Sequence, residues 1–125
     1  MRTETIGDPL EFRQRAAPLL VDEARHNLML GIVGTIVSSP DTYPEYRLYL
    51  VTKDEEPRSA AVITPPYDLV VTDTADPAAI TALVEALVED GFPVPGALAN
   101  QPTIDLVVRE WERATGDRAR RQMAQ

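Results

Sequence analysis

Apolar residues recur at helical spacing in three stretches of the chain, separated by runs richer in β-branched and aromatic residues. From Val21, the residues Ala24, Leu28, Ile32 and Ile36 fall three or four apart, with Met29 and Val33 widening the stripe, so a helix is expected to start near residue 21. Ser38-Ser39-Pro40 stops it. Ile80, Leu83, Val84, Leu87 and Val88 make a second stripe, and Ile104, Val107, Val108 and Trp111 a third. Each is bracketed by end signals. Asp76-Pro77 supplies a cap and a proline at the first helical position, Gly91 closes that helix, Pro102 opens the last one and Gly116 ends it. A shorter helix is expected from Pro9, because Asp8-Pro9-Leu10-Glu11 has a cap, a proline and an acidic residue in order, and Pro18 should end it.

Between the first and second stripes lie residues 46–52, rich in aromatic and β-branched side chains, then a polar turn over residues 53–57, then residues 59–64. This reads as an antiparallel hairpin. Pro65-Pro66 interrupts the run by removing two backbone donors, and Leu69 to Thr72 offer a third strand. Residues 92–101, with Pro93, Pro95 and Gly96, read as a loop with room for one short strand. The expected architecture is α+β: an antiparallel-rich sheet of about three to four strands packed with about four helices, in a single domain over residues 1–125. Leu28, Ile32, Leu48, Leu50, Val62, Val70, Leu83, Leu87, Val107 and Trp111 are the expected core.

Composition narrows the functions open to such a domain. At 125 residues the chain can bury roughly two-thirds of its unfolded surface, enough for one core. No cysteine is present, which excludes disulfides, thiolate metal sites and cysteine nucleophiles and fits a cytoplasmic protein. The longest apolar stretch, Leu28 to Val37, is broken by Gly31, Gly34 and Thr35 and is about half the length of a membrane span. No membrane partner is expected. The formal net charge of −8 repels a phosphate backbone, so no nucleic-acid partner is expected either. Arg113, Arg118, Arg120 and Arg121 are a local exception, read as a solvated terminal segment.

Little catalytic chemistry is legible. His26 is the only histidine, and Asp22 and Glu23 lie about one helical turn before it, where a carboxylate could orient the ring. The same spacing gives two ligands of a metal site, but nothing nearby completes a set, so a hydrogen-bonded structural histidine is the expectation. Neither a Gly-x-Ser-x-Gly elbow nor a glycine-rich phosphate loop is present. Asp54-Glu55 and Glu89-Asp90 fall at expected turns, where solvation is the default, and Pro65-Pro66-Tyr67 reads as a packed bend.

Three stretches together carry a resemblance. Glu23-Ala24-Arg25-His26-Asn27-Leu28-Met29-Leu30-Gly31, then Ile63-Thr64-Pro65-Pro66-Tyr67-Asp68-Leu69-Val70-Val71, then Gly91-Phe92-Pro93-Val94-Pro95-Gly96-Ala97 are similar to the amino-terminal region of two-part GNAT-type N-acetyltransferases, in the same order and spacing. The resemblance spans roughly residues 8–125. It implies a GNAT-like half, with acetyl transfer from acetyl-CoA to an amine performed by the full enzyme. Acetyl-CoA is thus implied for that enzyme, and no cofactor for this chain. In the superfamily a splayed pair of strands and the backbone amides at a helix start hold the pyrophosphate. The nearest string to the glycine signature of that site, Arg113-Ala114-Thr115-Gly116-Asp117-Arg118, fails its last position and follows a helix instead of a strand. Residues 120–125 resemble the start of a strand leading toward the catalytic half.

The resemblance also implies partners and a candidate site. The chain would dock the carboxyl-terminal acetyltransferase half, or self-associate as a homodimer, and shape the acceptor pocket through Arg25, His26 and Asn27 together with Thr64, Pro65, Pro66 and Tyr67. The alternative expectation is a stand-alone, non-enzymatic binding or dimerisation module.

Overall fold

The computed structural model describes residues 1–22, 25–74, 76–116 and 121–123, with no side-chain description for Pro40 or residues 121–123. Its elements, in chain order, are β1 (Arg2–Thr5), α1 (Pro9–Ala16), α2 (Asn27–Ser38), β2 (Arg47–Lys53), β3 (Glu56–Ile63), β4 (Leu69–Val71), α3 (Pro77–Asp90), β5 (Ala97–Ala99), α4 (Thr103–Thr115) and β6 (Arg121–Met123). Single turns of 3-10 helix follow α1 at Ala17–Leu19 and α2 at Pro40–Thr42. The fold is α+β. Its sheet runs β1-β2-β3-β4-β5-β6, antiparallel through β4, then parallel from β4 to β5 and from β5 to β6. The six strands exceed the expected three to four, and the two parallel steps follow from helices α3 and α4 acting as crossovers, which parallel neighbours require.

Strand periodicity divides the core into two layers. Tyr49 and Val51 of β2, Ala61 and Ile63 of β3, Leu69 and Val71 of β4, and Ala97 and Ala99 of β5 pack against Ile80, Leu83, Val84 and Leu87 of α3 and Ile104, Val107 and Val108 of α4. The alternating residues Leu48, Leu50, Ala60, Val62 and Val70 face Phe12 and Ala16 of α1 and Met29, Val33 and Ile36 of α2. A central sheet with helices on both faces results, as period-two alternation demands when both faces are apolar. Seven of the ten expected core residues are buried. Trp111 is only partly buried; on α2, Ile32 is partly buried and Leu28 is 41% exposed, because the helix is turned to bury Met29, Val33 and Ile36, the other side of the widened stripe. Val88 is also exposed, at the outer end of the α3 stripe.

Capping matches the sequence signals closely. Asp8 Oδ1 accepts from the Leu10 amide and Asp76 Oδ1 from the Ala78 amide, with Pro9 and Pro77 at the first helical positions. Gly91 and Gly116 terminate α3 and α4 with φ of 64° and 76°, a conformation in which glycine alone avoids a Cβ penalty. The hairpin turn is shorter than the expected residues 53–57. Only Asp54 and Glu55 form it, both at positive φ (52° and 68°), while Pro57 enters β3 beside a register shift that leaves Arg58 as the extra residue of a bulge.

Candidate functional site

α2 starts at Asn27, later than expected, because the preceding residues are tied to the sheet instead of continuing the helix upstream. The Arg25 and His26 amides both donate to the Asp22 carbonyl, at 3.2 Å each, closing a turn; Glu23 and Ala24 lie outside the described residues. His26 is buried and its ring spans two segments. Nδ1 lies 3.0 Å from the Asp22 carbonyl oxygen and Nε2 lies 3.2 Å from the Asp73 amide nitrogen. A backbone N–H can only donate, so Nε2 is the acceptor and the ring proton sits on Nδ1, facing Asp22. The Asp22 carboxylate, which could have oriented the ring, instead accepts from the Arg25 amide at 3.3 Å. Both ring nitrogens are therefore engaged by backbone groups, which leaves the histidine a structural tie.

Arg25 completes that tie. Its guanidinium pairs with the Asp73 carboxylate and reaches the Gln101 carbonyl, and its own carbonyl accepts from Asn100 Nδ2 at 3.0 Å. The hydrogen bond to Asp73 and the attraction of that carboxylate hold the guanidinium pKa above its ordinary value. These contacts fall just past β4 and β5, whose ladder has two register pairs, Leu69 with Ala97 and Val70 with Leu98. Beyond them Thr103 Oγ1 accepts from the Thr74 amide at 2.9 Å and donates to the Thr74 carbonyl at 3.1 Å. The segments that follow β4 and β5 are thus bridged by Arg25, His26 and Thr103. Asp73, Asn100 and Thr103 carried no sequence signal for this role.

The start of α3 lies next to this bridge. Pro77 has no N–H, the Ala78 amide is bonded to the Asp76 carboxylate at 3.1 Å, and the Ala79 amide is bonded to the Asp76 carbonyl at 3.1 Å. Three amides that an anion could have used are absent or taken by the chain. Asp76 also sets a negative charge at the positive end of the helix, which favours the helix and disfavours a second anion there.

Thr64, Pro66 and Tyr67 lie elsewhere, in the bend between β3 and β4, closed by a 2.9 Å bond from the Tyr67 amide to the Thr64 carbonyl. The Pro65–Pro66 peptide bond is cis. With Leu28, Ile32, Tyr43, Asp68, Val70 and Leu98 these residues line a cleft of about 400 Å³ between α2 and the face of β4 and β5. Tyr43 and Tyr67 meet edge to face, their ring centroids 6.3 Å apart. Tyr67 is 63% exposed, so the bend is less packed than expected. The candidate residues therefore divide: Thr64, Pro66 and Tyr67 line the cleft, Pro65 is half-buried in the same bend but not part of that lining, Arg25 and His26 bridge the segments after β4 and β5, and Asn27 is exposed at the first turn of α2. Tyr43 and Leu98 join the cleft without having been legible as site residues.

Other expected features resolve similarly. Gly116 of the string Arg113-Ala114-Thr115-Gly116 is the cap of α4, and Arg113 pairs with Glu110, while Asp117, Arg118 and Arg120 lie outside the described residues. Asp90 is not merely solvated: it accepts from the Tyr49 hydroxyl at 2.9 Å, and burial together with that bond pushes the phenol pKa up. Among the described residues no group of three or more histidine, aspartate or glutamate side chains could hold a metal ion, and no helix is long and apolar enough to cross a membrane. No family model, curated protein or solved structure matches the chain.

Proposed function

We propose that this chain is the non-catalytic amino-terminal half of a GNAT-type N-acetyltransferase, a half that binds and shapes and does not transfer. The reading rests first on the sequence resemblance over residues 23–31, 63–71 and 91–97. The closed start of α3 is the observation that carries its non-catalytic part. In the superfamily a splayed strand pair and the amides of a helix start hold the pyrophosphate of acetyl-CoA. On this reading their counterparts would be β4, β5 and α3, supported by the parallel pairing of β4 with β5 and by α3 connecting them. Asp76 takes the amides of Ala78 and Ala79, and Arg25, His26 and Thr103 hydrogen-bond to the segments that follow β4 and β5. The anion site is occupied by the chain's own groups.

The cleft beside Tyr43 and Tyr67 is then the place where this half contributes to an acceptor pocket, offering aromatic and aliphatic walls with Thr64 and Asp68 as its polar groups. Calorimetric titration tests the assignment. The isolated chain should give no acetyl-CoA binding in the micromolar range, whereas the complete gene product should bind acetyl-CoA and acetylate an amine. Micromolar binding by the chain alone, or a complete gene product without any such activity, would overturn it. The alternative, a stand-alone binding or dimerisation module, is favoured by one observation, the uncharged helix α2.

A further inference from the structure

The cleft beside Tyr43 and Tyr67 is built from three kinds of wall. One is aliphatic, with Leu28 and Ile32 from α2 and Leu98 from β5. α2 carries no charged residue over its whole length, Asn27–Ser38, so that helix offers a ligand no counter-ion. The second wall is aromatic. The rings of Tyr43 and Tyr67 stand at 88° to each other with centroids 6.3 Å apart, an edge-to-face corner. The third is Asp68, half-buried and the only charged residue among the described ones that line the cleft.

Each wall selects a part of the ligand. The volume of about 400 Å³ lies at the small end of small-molecule sites, which run from roughly 300 to 1,000 Å³. Aliphatic walls favour an apolar body. The faces of aromatic rings are negative and attract a cation, and aromatic corners of this kind are how proteins hold alkylated ammonium groups. Asp68 also interacts within the chain, and a carboxylate accepts at about four lone-pair sites, so such a contact leaves capacity for an ammonium N–H. The net charge of −8 draws cations toward the protein and repels anions from it. A second positive charge on the ligand would find no second carboxylate among the described lining residues and would lose its water against leucine and isoleucine.

We propose that the cleft binds an organic monocation: a single ammonium group set against Asp68 and the tyrosine corner, carried on a compact aromatic or branched aliphatic body that lies against Leu28, Ile32 and Leu98. The proposal rests on the reading of this cleft as an acceptor pocket and narrows its substrates to hydrophobic monoamines, to the exclusion of polyamines and anionic ligands.

Titration of the isotopically labelled full chain, read at the backbone amides of Tyr67, Asp68 and Leu98, tests it with phenethylammonium, its uncharged analogue 2-phenylethanol, and spermine. Reading only these amides separates the cleft from the acidic surface elsewhere, to which any polycation is drawn. Phenethylammonium should shift them saturably and bind roughly tenfold or more tighter than 2-phenylethanol, with spermine leaving them in place at the same concentrations. Asp68→Asn, close in shape, should bring phenethylammonium to the level of the alcohol. Tyr67→Ala, at a side chain 63% exposed, should weaken it several-fold with an unchanged thermal melt, and it decides the matter if Asp68→Asn does not fold. Equal binding of the ammonium and the alcohol, equal cleft shifts with spermine, or either variant folded and binding like the wild type overturns the proposal. Those results leave the acetyl-CoA titration untouched, and acetyl-CoA binding by the chain alone would overturn the acetyltransferase reading without altering the preference for the ammonium.

Discussion

Replacing His26 with phenylalanine keeps a flat ring of similar size and deletes both ring nitrogens, which isolates the polar tie from the packing. In the wild type Nδ1–H donates to the Asp22 carbonyl and Nε2 accepts from the Asp73 amide. The two losses are unequal. Asp22 keeps the Arg25 and His26 amides as donors to its carbonyl, so that bond costs about 1 kcal/mol, an ordinary net hydrogen bond. The Asp73 amide loses its acceptor in a partly buried position, which costs about 1–2 kcal/mol as an unsatisfied donor. The sum is about 2–3 kcal/mol, and for a domain of this size it lowers Tm by roughly 6–15 °C. Circular dichroism melts of H26F and wild type measure that difference. Hydrogen exchange at the Asp73 amide gives a second, local readout and should accelerate in the variant. A melt within about 2 °C of wild type, with Asp73 exchange unchanged, would refute the view that this ring holds the start of α2 to the end of β4.

Other consequences of the packing are equally accessible. Asp76→Ala removes the cap of α3 and should cost about 1 kcal/mol, read as a Tm lower by roughly 3–5 °C. Glu55→Gly should instead stabilise by about 0.5–1 kcal/mol in a denaturant titration, since glycine relieves a φ of 68° that glutamate adopts at a cost partly offset by the looser unfolded chain. The hydrogen bond from Arg15, partly opposed by burial and aided by the charges of Arg15 and Arg2, holds the Glu4 carboxyl below its ordinary value of about 4.5. A lowered folded pKa means that this contribution is complete above the unfolded value and is lost as pH falls through the folded one. Melts taken from neutral pH down to the acid range should show Glu4→Gln converging on wild type below the folded pKa, with a difference at neutral pH of no more than about 1 kcal/mol for a pair this exposed.

The elements that were legible in the sequence are those whose signals are local. Asp8-Pro9 and Asp76-Pro77 fix helix starts through bonds within the first turn, and Gly91 and Gly116 fix helix ends through one left-handed residue each. The strands β1, β5 and β6 were less visible because each is short and, unlike the equally short β4 with its Leu69-Val70-Val71, none carries a run of large aliphatic residues. Arg2–Thr5 has no apolar alternation to announce it, and Ala97–Ala99 lies in a stretch punctuated by proline and glycine. α2 shows a different limit. Its apolar stripe is wide, so periodicity alone could not tell which edge of it faces the sheet, and of Leu28 and Met29, both on that stripe, only Met29 is buried. For the candidate site, the histidine was found but its partners were not, since the Asp73 amide comes from 47 residues away and is supplied by backbone that any residue could provide. The division of the candidate residues into a cleft and a bridge is likewise a product of tertiary packing.

The central claim is that the start of α3 is closed to the pyrophosphate of acetyl-CoA by the chain's own Asp76. The most direct measurement follows the backbone amide resonances of Ala78 and Ala79 in an isotopically labelled sample while acetyl-CoA is added. With the Ala78 amide bonded to the Asp76 carboxylate and the Ala79 amide to its carbonyl, both resonances should stay in place through a large excess of acetyl-CoA. Saturable shifts at these two amides with a micromolar midpoint would contradict the account, because they would place the anion where the structure places the chain's own cap.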